Sequence, residues 1–443
     1  MTSTAIRRVH ARRVWDSRGR PTVEVEITLA NGQKGRAIAP AGASTGSGEA
    51  VDRRDGGERL GGWDVRGVVK SVLEEIAPCL SGMDACDQAA VDRALIELDG
   101  QPDKSRLGGN ALIATSMAVV KAAAGAIPLW RYLAGEAQPC LPLPEIQIIG
   151  GGAHAHRRVD FQDFMVVPIG APDYATALDW VAEVYLATGR LLSESGNLQG
   201  VADEGGFWPA FSGNQQAVEV LIRAIEAAGL TPGQDVAISL DIAASEFYDD
   251  GLYRLASEDR QLDRDGLCEM LLGWLARYPI VMIEDPLVES DREGFIAFTR
   301  EAGNRVQVVG DDYLVTNAAR VSAAAKDGAC NALLVKPNQA GTLSETYAAL
   351  SAARAAGFGA IISARSGETE DTTIVHLAVG WGVSQLKVGS ITRGERTAKW
   401  NEGLRIADDL EEGGRLAGGH IPGGHIPGGR LPDPATFPWG RSD

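Results

Sequence analysis

The stretch GAIISARSGETED, residues 359–371, is a short apolar run that ends in arginine, serine and acids. The same pattern, an apolar run closed by a charged residue, occurs five more times between residues 235 and 389. The six charged residues are Asp241, Glu284, Asp311, Lys336, Arg365 and Lys387. From Glu284 onward they are 22 to 29 residues apart, and helical patterns such as TLSETYAALSAARAAG fill the intervals. This length fits a strand, a turn and a crossover helix, so the sequence predicts repeated βα units.

Repeated βα units are compatible with a TIM-type barrel or with an open doubly wound sheet. The barrel is favoured because six charged strand ends suit one central site, whereas the sequence has no Gly-rich phosphate-binding fingerprint. In such a barrel the carboxyl ends of the strands form the active-site face. The predicted fold class is therefore α/β, a modified TIM (βα)8 barrel with a smaller domain in front of it.

The region before the barrel is predicted to be an α+β domain. Residues 21–30, PTVEVEITLA, alternate apolar and polar residues, and a turn at NGQ leads into a return strand, KGRAIAP. Helical patterns follow at 64–80, 86–98 and 109–126. We therefore predict an N-terminal α+β capping domain at 1–135, the barrel at 136–415, and a Gly/Pro-rich C-terminal tail at 416–443.

Three segments are predicted to lack regular structure. QPCLPLPEI, residues 138–146, contains three prolines and is predicted to be a linker, while the small residues of AGASTGSG, 41–48, predict a mobile loop. The tail contains three imperfect repeats, GGHIP, GGHIP and GGRLP, at 418–432, which are too rich in Gly and Pro for a helix or a central strand. His420 and His425 in these repeats are weak metal candidates, because a flexible backbone does not fix ligand geometry.

Composition limits the classes of partner. The 443-residue chain has 42 Lys and Arg against 59 Asp and Glu, which gives a net charge of −17. This balance argues against a nucleic-acid polymer or an anionic membrane as partner, since both require broad basic surfaces. Five scattered cysteines without a CxxC pair, and the lack of an apolar signal segment, predict a cytoplasmic protein without disulfides or a zinc site.

The charged strand ends predict a metal and a base. Asp241, Glu284 and Asp311 would repel one another on a common axis unless a hard divalent cation lay between them. Three carboxylate oxygens with water suit Mg²⁺ and leave positions for substrate oxygens. Lys336 and Lys387 come from strands across the barrel, where a nearby cation would lower a lysine pKa and produce a usable base.

Further polar residues extend this candidate site. Arg365 with Ser366 offers a forked donor for phosphate or carboxylate. The segment VADEGGFWP places Asp203 and Glu204 in a glycine-flanked loop, where a carboxylic acid would donate a proton. The segment GGAHAHRRVDFQDFM, 151–165, adds His154, Gln162 and Asp163. A metal, a lysine base and an acid together suit proton abstraction next to a carboxylate.

From about Ile6 to Ile406 the sequence resembles the enolase family. The matching stretches are DSRGRPTVEVE, GASTGSGEA, LDGQPDKSRLGGNA, VDFQDFMVVP, DEGGFWP, SLDIAASEFY, IEDPL, VGDDYLVTN, KPNQAGTL and RSGETEDTT. The resemblance implies an N-terminal α+β cap, a modified (βα)8 barrel and Mg²⁺. It also implies a small phosphorylated substrate and a homodimer or higher homo-oligomer.

The resemblance also implies roles for individual residues. Asp241, Glu284 and Asp311 would hold the first Mg²⁺, Lys336 would remove the α-proton of 2-phosphoglycerate, and Glu204 would help to expel the β-hydroxyl. The implied substrate contacts are Lys387 at the carboxylate, Arg365 and Ser366 at the phosphate, and His154 with Gln162 in a loop over the substrate.

Several residues depart from the family pattern. Ala364 stands where enolases carry an active-site histidine, and Ala41 is assigned to the place of the mobile-loop serine that binds a second Mg²⁺, which puts that second ion in doubt. Asp163 replaces a glutamate and shortens the carboxylate by one methylene. His156, Arg157 and Arg158 occupy a loop segment that is typically Asp/Asn-like, so Arg157 and Arg158 are expected to add positive charge at the mouth of the site.

These departures leave several interpretations open. The chain is a decayed pseudoenzyme or non-catalytic binding protein, an ordinary enolase with altered tuning, or an enzyme with altered chemistry on a related substrate. The third is favoured, because drift would not spare the carboxylates and lysines together, and both alanines remove polar groups and vacate space. Such a pocket resembles the carboxyphosphonoenolpyruvate synthases of phosphonate natural-product pathways. These enolase-like enzymes join the CMP ester of phosphonoformate to a three-carbon unit derived from 2-phosphoglycerate.

Overall fold

The computed structural model describes residues 3–135, 139–155, 159–303, 305–416 and 430–440. The N-terminal part contains an antiparallel sheet of three strands in sequence order, β1 (Ile6–Trp15), β2 (Pro21–Leu29) and β3 (Lys34–Ile38). The helix Gly109–Ala124 packs on this sheet, and its backbone approaches Gly35 so closely that a Cβ there would lie 2.2 Å from the Ala118 carbonyl oxygen. The predicted strands and helices of the cap are present.

The strands after the cap form one closed barrel with small additions. In chain order they are β4 (Leu143–Gly150), β5 (Asp163–Val167), β6 (Leu198–Val201), β7 (Phe207–Pro209), β8 (Ala237–Asp241), β9 (Tyr248–Asp249), β10 (Leu252–Leu255), β11 (Arg260–Leu262), β12 (Ile280–Glu284), β13 (Gln307–Gly310), β14 (Ala332–Val335), β15 (Gly359–Ser363) and β16 (Gln385–Gly389). The barrel order is β4-β5-β8-β12-β13-β14-β15-β16, and β16 pairs with β4 to close it. This confirms the predicted α/β fold with a modified (βα)8 barrel.

The described helices surround these sheets. In the cap they are Arg66–Ser71, which continues through a π-helical turn at Val72–Ile76 into Ala77–Leu80, and then Gln88–Asp99, Gly109–Ala124 and Leu129–Ala134. In the barrel they are Tyr174–Glu194, Asn214–Ala227, Arg264–Arg277, Arg292–Ala302, Ala318–Asp327, Pro337–Ala340, Leu343–Ala355, Thr373–Gly380 and Gly394–Leu416. None of the helices in this described part of the chain is long and apolar enough to span a bilayer.

The first two barrel strands depart from the repeated βα pattern. β5 runs antiparallel to both of its neighbours, β4 and β8, so the barrel starts with a hairpin rather than a crossover. The prediction of a linker at 138–146 is wrong for its second half, because Leu143 to Ile146 belong to β4 and pair with β16. Buried apolar side chains, such as Ile146 and Ile148, hold this proline-containing segment in the barrel.

The cap is fixed to the barrel by buried polar contacts. The Lys121 ammonium, on the cap helix, lies 2.9 and 3.0 Å from the two carboxylate oxygens of Asp371 in the barrel. Asp371 also accepts a hydrogen bond from the Ile38 amide at 3.1 Å and from the Thr373 amide at 2.8 Å. Burial opposes the charged form of Asp371, but Lys121 outweighs it and lowers the pKa of Asp371 to about 2.

We expect Asp371→Asn to lower the free energy of unfolding by about 2 kcal/mol at pH 7, as a pKa depressed from its usual value to about 2 implies. A carboxylate whose folded pKa is depressed stabilises above its unfolded pKa, so this difference is full above pH 4 and disappears as the pH falls to 2. Urea unfolding at several pH values measures it. Asp327→Asn, which removes an exposed partner of Arg292, is the control and should change little. Equal losses in both variants would contradict the assignment.

The end of the chain packs against the barrel. Leu431 and Phe437 are buried, and Phe437 lies beside Leu143 and Gln307 at the amino-terminal ends of the barrel strands. The repeats at 418–432, including His420 and His425, lie almost entirely outside the described residues. The domain boundaries at 135 and 415 stay predictions. All five cysteines are free thiols.

Candidate active site

Barrel closure brings the six predicted strand-end side chains to one face. Asp241, Glu284, Asp311, Lys336, Arg365 and Lys387 are all buried, with exposures of 2 to 7%. Because seven of the eight barrel strands run parallel, their carboxyl ends meet at the same rim. The regular spacing of strands and helices therefore places the charged residues together.

Lys387 is the centre of one carboxylate group. Its ammonium nitrogen lies 2.9 Å from Oδ2 of Asp241, 2.7 Å from Oε2 of Glu284 and 3.7 Å from Oδ2 of Asp163. The Gln162 side-chain amide donates a hydrogen bond of 3.1 Å to the same Asp241 oxygen. Four of the predicted site residues thus lie around one ammonium group.

Lys336 is the centre of the second group. Its ammonium forms a short ion pair with Oδ2 of Asp311, and its backbone amide donates to the Thr316 hydroxyl at 2.9 Å. Burial acts to lower the pKa of Lys336, but Asp311 outweighs burial and raises it above the ordinary value. The lowered lysine pKa expected beside a metal ion stays a prediction, because the charges that act on Lys336 here come from protein side chains alone.

The carboxylates respond to the same environment. Burial, and then the charge of Asp241, raise the pKa of Glu284 well above its ordinary value. Burial opposes the ammonium form of Lys387, but Asp241 and Glu284 hold its pKa well above the ordinary value. The negative charge of these closely spaced, buried acids must be balanced by cations that lie among them.

Asp285 and Asp312 are two acidic residues of the site that the sequence did not predict. Among the described residues, carboxylate oxygens of Asp285, Asp311 and Asp312 lie within 4.8 Å of one another, a closer acidic group than the predicted trio. Asp285 accepts hydrogen bonds from the backbone amides of Asp311 at 3.0 Å and Asp312 at 2.7 Å. The motifs IEDP and VGDDY carried this signal, since each has a second acid directly after or beside the predicted ligand.

Glu145 and Gln147 were also missed. Burial raises the pKa of Glu145 to about 7, and the Ser239 hydroxyl donates to this carboxyl at 2.5 Å. The Gln147 amide donates a short hydrogen bond to Asp163 and accepts one from the Gly206 amide at 2.8 Å. It therefore joins Asp163 to the loop that carries Glu204. Isolated polar residues in the apolar run LPLPEIQIIGG were the available signal.

Arg365 holds the predicted mobile loop. Its guanidinium lies 2.9 Å from Oε2 of Glu49 and donates to the Ser44 carbonyl at 2.9 Å. The fully buried Arg396 donates to the carbonyl oxygens of Arg365 at 2.7 Å and Ser366 at 2.5 Å, which fixes the turn between these residues. The turn places Arg365 and Ser366 in the same pocket wall.

This loop contributes two residues, Ala43 and Ser44, to the wall of the pocket. The lining residues are Ala43, Ser44, Gln162, Asp163, Glu204, Asp241, Lys336, Ser363, Ala364, Arg365, Ser366, Lys387 and Val388. The cavity between them is small, about 20 Å³. Ala364 lines the same pocket as Lys336 and Glu204.

Ala41 is fixed by backbone contacts to the turn after β15. Ala41 forms a two-way backbone bridge with Gly367, at 2.8 and 2.9 Å, and does not line the pocket. The residues of this loop that line the pocket are Ala43 and Ser44. The assignment of Ala41 to the place of the metal-binding serine, and the doubt about a second Mg²⁺ that follows from it, stay predictions.

Some predicted contacts lie outside the described residues. This applies to Arg157 and Arg158 and to the neighbouring His156, while His154 is described by its backbone, in a short 3-10 turn, Gly152–Ala155. Of the two acids in VADEGGFWP, Glu204 lines the pocket and is buried, whereas Asp203 does not line it. Glu204 lies in the loop of the β6–β7 hairpin. The Glu204 backbone carbonyl oxygen accepts a hydrogen bond from the Ser390 amide at 2.9 Å, which helps to hold the residue in place.

The oxygen atoms available as ligands at this rim fit a hard divalent cation. In the part of the chain described here, Oε1 of Glu284 and Oε1 of Gln162 are buried without a hydrogen-bond donor. Both are oxygen acceptors beside Asp241, and a buried acceptor without a partner is costly. Carboxylate and amide oxygens are ligands that Mg²⁺ accepts. The acids at this rim therefore suit such an ion chemically.

Comparison with known protein families gives two matches. A family model described as the enolase N-terminal domain matches residues 6–133, and one described as the enolase C-terminal TIM barrel domain matches residues 138–422. The first match covers the cap sheet and its helices, and the second covers the closed barrel. Together they span nearly the whole described fold.

Proposed function

Because the chain belongs to the enolase family, we propose that it is a Mg²⁺-dependent enzyme that removes a proton next to the carboxylate of a 2-phosphoglycerate-type substrate. Members of this family typically bind Mg²⁺. The observation that carries the proposal is the pair of buried lysines, Lys336 and Lys387, each beside carboxylates in one pocket. A small anionic substrate suits this charge pattern.

The proposed roles follow from position. Asp241, Glu284 and Asp311 would hold the ion, which would stabilise the negative charge that develops on the substrate carboxylate. Lys336 takes the α-proton, because an ion bound to Asp311 competes for that carboxylate and favours the neutral amine. Lys387, already held among three acids, stays charged and pairs with the substrate carboxylate.

The remaining contacts bind and complete the reaction. Glu204, on the β6–β7 loop, gives a proton to the departing hydroxyl. Arg365 and Ser366 bind the phosphate, and Gln162 and Asp163 line the same pocket. His154, Arg157 and Arg158 belong to the neighbouring loop and are proposed as further substrate contacts on the resemblance alone.

We further propose that the enzyme is a carboxyphosphonoenolpyruvate synthase. Ala364 supports this, because it lines the same pocket as Lys336 and Glu204, and a methyl group there leaves more space than the histidine of an ordinary enolase. The balanced reaction joins 2-phosphoglycerate and CMP-phosphonoformate to form carboxyphosphonoenolpyruvate, CMP and inorganic phosphate. The partners would be these two small anions, and we propose a homodimer or higher homo-oligomer on the family resemblance.

The test is a product balance. Purified protein with Mg²⁺ and 2-phosphoglycerate alone is expected to form phosphoenolpyruvate slowly, and addition of CMP-phosphonoformate is expected to release CMP and phosphate in equal amounts. Ion chromatography of the products with a ³¹P NMR spectrum measures both. No CMP release in the presence of both reactants would contradict the condensation.

An ordinary enolase is the second candidate, and the small cavity favours it. A volume of about 20 Å³ suits one small substrate better than two reactants. Rapid phosphoenolpyruvate formation from 2-phosphoglycerate alone would establish this alternative. Mg²⁺-dependent binding of phosphoenolpyruvate without turnover would instead indicate a non-catalytic binding protein.

A further inference from the structure

Gln339 connects several groups around the Asp311–Lys336 ion pair. It lies on the short helix Pro337–Ala340, directly after β14, and is buried with an exposure of 2%. Its side-chain amide nitrogen donates to Oδ1 of Asp311 at 2.8 Å and to Oε1 of Glu49 at 3.2 Å. Its side-chain oxygen accepts from the Thr316 hydroxyl at 2.6 Å. Because the amide nitrogen contacts two acceptors and the amide oxygen contacts one donor, the orientation of the Gln339 side-chain amide is determined.

These contacts form a closed ring. The Thr316 hydroxyl, which donates to Gln339, accepts from the Lys336 backbone amide at 2.9 Å. Asp311 uses Oδ1 for Gln339 and Oδ2 for the Lys336 ammonium. The ring therefore fixes both the position of the Lys336 backbone and the rotation of the Asp311 carboxylate.

The backbone near Thr316 supports a constrained role. Val315 and Thr316 both have positive φ angles, 42° and 50°, in a region that β-branched residues rarely adopt. Two such residues in sequence cost conformational free energy, which the surrounding contacts must offset. The strained turn aims the Thr316 hydroxyl at Gln339.

The mobile loop is joined to the same ring. Glu49 accepts from Gln339 and also pairs with Arg365, and the Ala50 amide donates to the Gln339 carbonyl oxygen at 2.8 Å. Loop residues therefore contact Asp311 through one amide group. A change in the loop position can therefore alter the hydrogen bonds of Asp311 by way of Gln339.

We infer that Gln339 is a positioning residue, which orients Asp311 for the metal and for Lys336 and reports the loop position to both. This inference rests on the proposed function, because it assigns Asp311 to the metal. A donor to a metal-binding carboxylate fixes which oxygen lone pairs face the ion, and loss of such a donor typically reduces metal affinity or activity 10- to 100-fold.

The test uses Gln339→Met, which keeps the volume and removes all three hydrogen bonds. Mg²⁺ alone is titrated into the full-length protein by calorimetry, and thermal unfolding is measured in parallel. We expect Mg²⁺ affinity to fall about 10- to 100-fold. The matched control is Gln307→Met, since Gln307 is equally buried in a two-way amide pair with Gln385 at the opposite end of the barrel. It should lose stability but keep its Mg²⁺ affinity.

A second pair of variants keeps the test decisive if Gln339→Met does not fold. Thr316→Val removes only the hydroxyl, and Thr316→Ser restores it. We expect weaker Mg²⁺ binding in the valine variant and recovery in the serine variant. Unchanged Mg²⁺ affinity in Gln339→Met, or equal loss in Gln307→Met, overturns the inference. Failure of the unaltered protein to bind Mg²⁺ overturns the proposed function, and this inference with it.

Discussion

Lys336→Met is expected to lower kcat for removal of the α-proton of 2-phosphoglycerate about 1000-fold, within the range that loss of a general base produces. The side chain keeps its length and loses the amine that takes the α-proton. The most direct measurement is exchange of the C2 proton of 2-phosphoglycerate for deuterium in D₂O, followed by ¹H NMR. This exchange does not require the second reactant, so it isolates the proton-transfer step.

Lys104→Met is the matched control for this variant. Lys104 is also a buried lysine paired with a carboxylate, at 2.9 Å from Glu345, but it lies between the cap and the barrel and does not line the pocket. It should lose thermal stability and keep its exchange rate. If Lys336→Met exchanges the C2 proton as fast as the unaltered protein, Lys336 is not the base.

Ala364→His is expected to raise dehydration of 2-phosphoglycerate about 100-fold and to reduce CMP release. A preorganised donor at the site of developing charge contributes about 10²- to 10³-fold to a rate. The imidazole would also fill part of a pocket that is already small, so the second reactant would lose space. Phosphoenolpyruvate and CMP formation measured in the same reaction give the two rates.

Ala364→Asn separates the donor from the volume. Asparagine fills part of the same space but does not supply an imidazole, so dehydration should rise less than with histidine, while CMP release should still fall. If histidine and asparagine at position 364 reduce phosphoenolpyruvate formation and CMP formation equally, the residue at this position controls only the available space. The missing histidine would then no longer argue against an ordinary enolase.

The barrel was predictable because its signal is regular. Apolar runs of about five residues, each closed by a charge, locate the six barrel strands from β8 onward and the ends that carry Asp241 and Lys387. The direction of β5 was not predictable, because an apolar run reads the same in either orientation. Pro144 concealed β4 for a related reason, since proline normally argues against a central strand.

The candidate site was predictable only where residues are charged. Gln339, Gln147 and Asp285 orient charged groups through neutral amides or backbone contacts, and no spacing rule identifies such partners. Ala41 forms a backbone bridge with Gly367, and its assignment to the place of the metal-binding loop serine stays a prediction. The roles of the individual residues stay predictions until the variants above are measured.

The contacts of Arg365 link two equilibria. The guanidinium that holds the loop through Glu49 and Ser44 is also the group proposed to receive an anion. An anion that binds there changes the free energy of holding the loop, and by thermodynamic reciprocity the loop changes the anion's affinity by the same factor. Phosphate analogues of different charge should therefore differ in how strongly they protect the 41–48 segment from proteolysis.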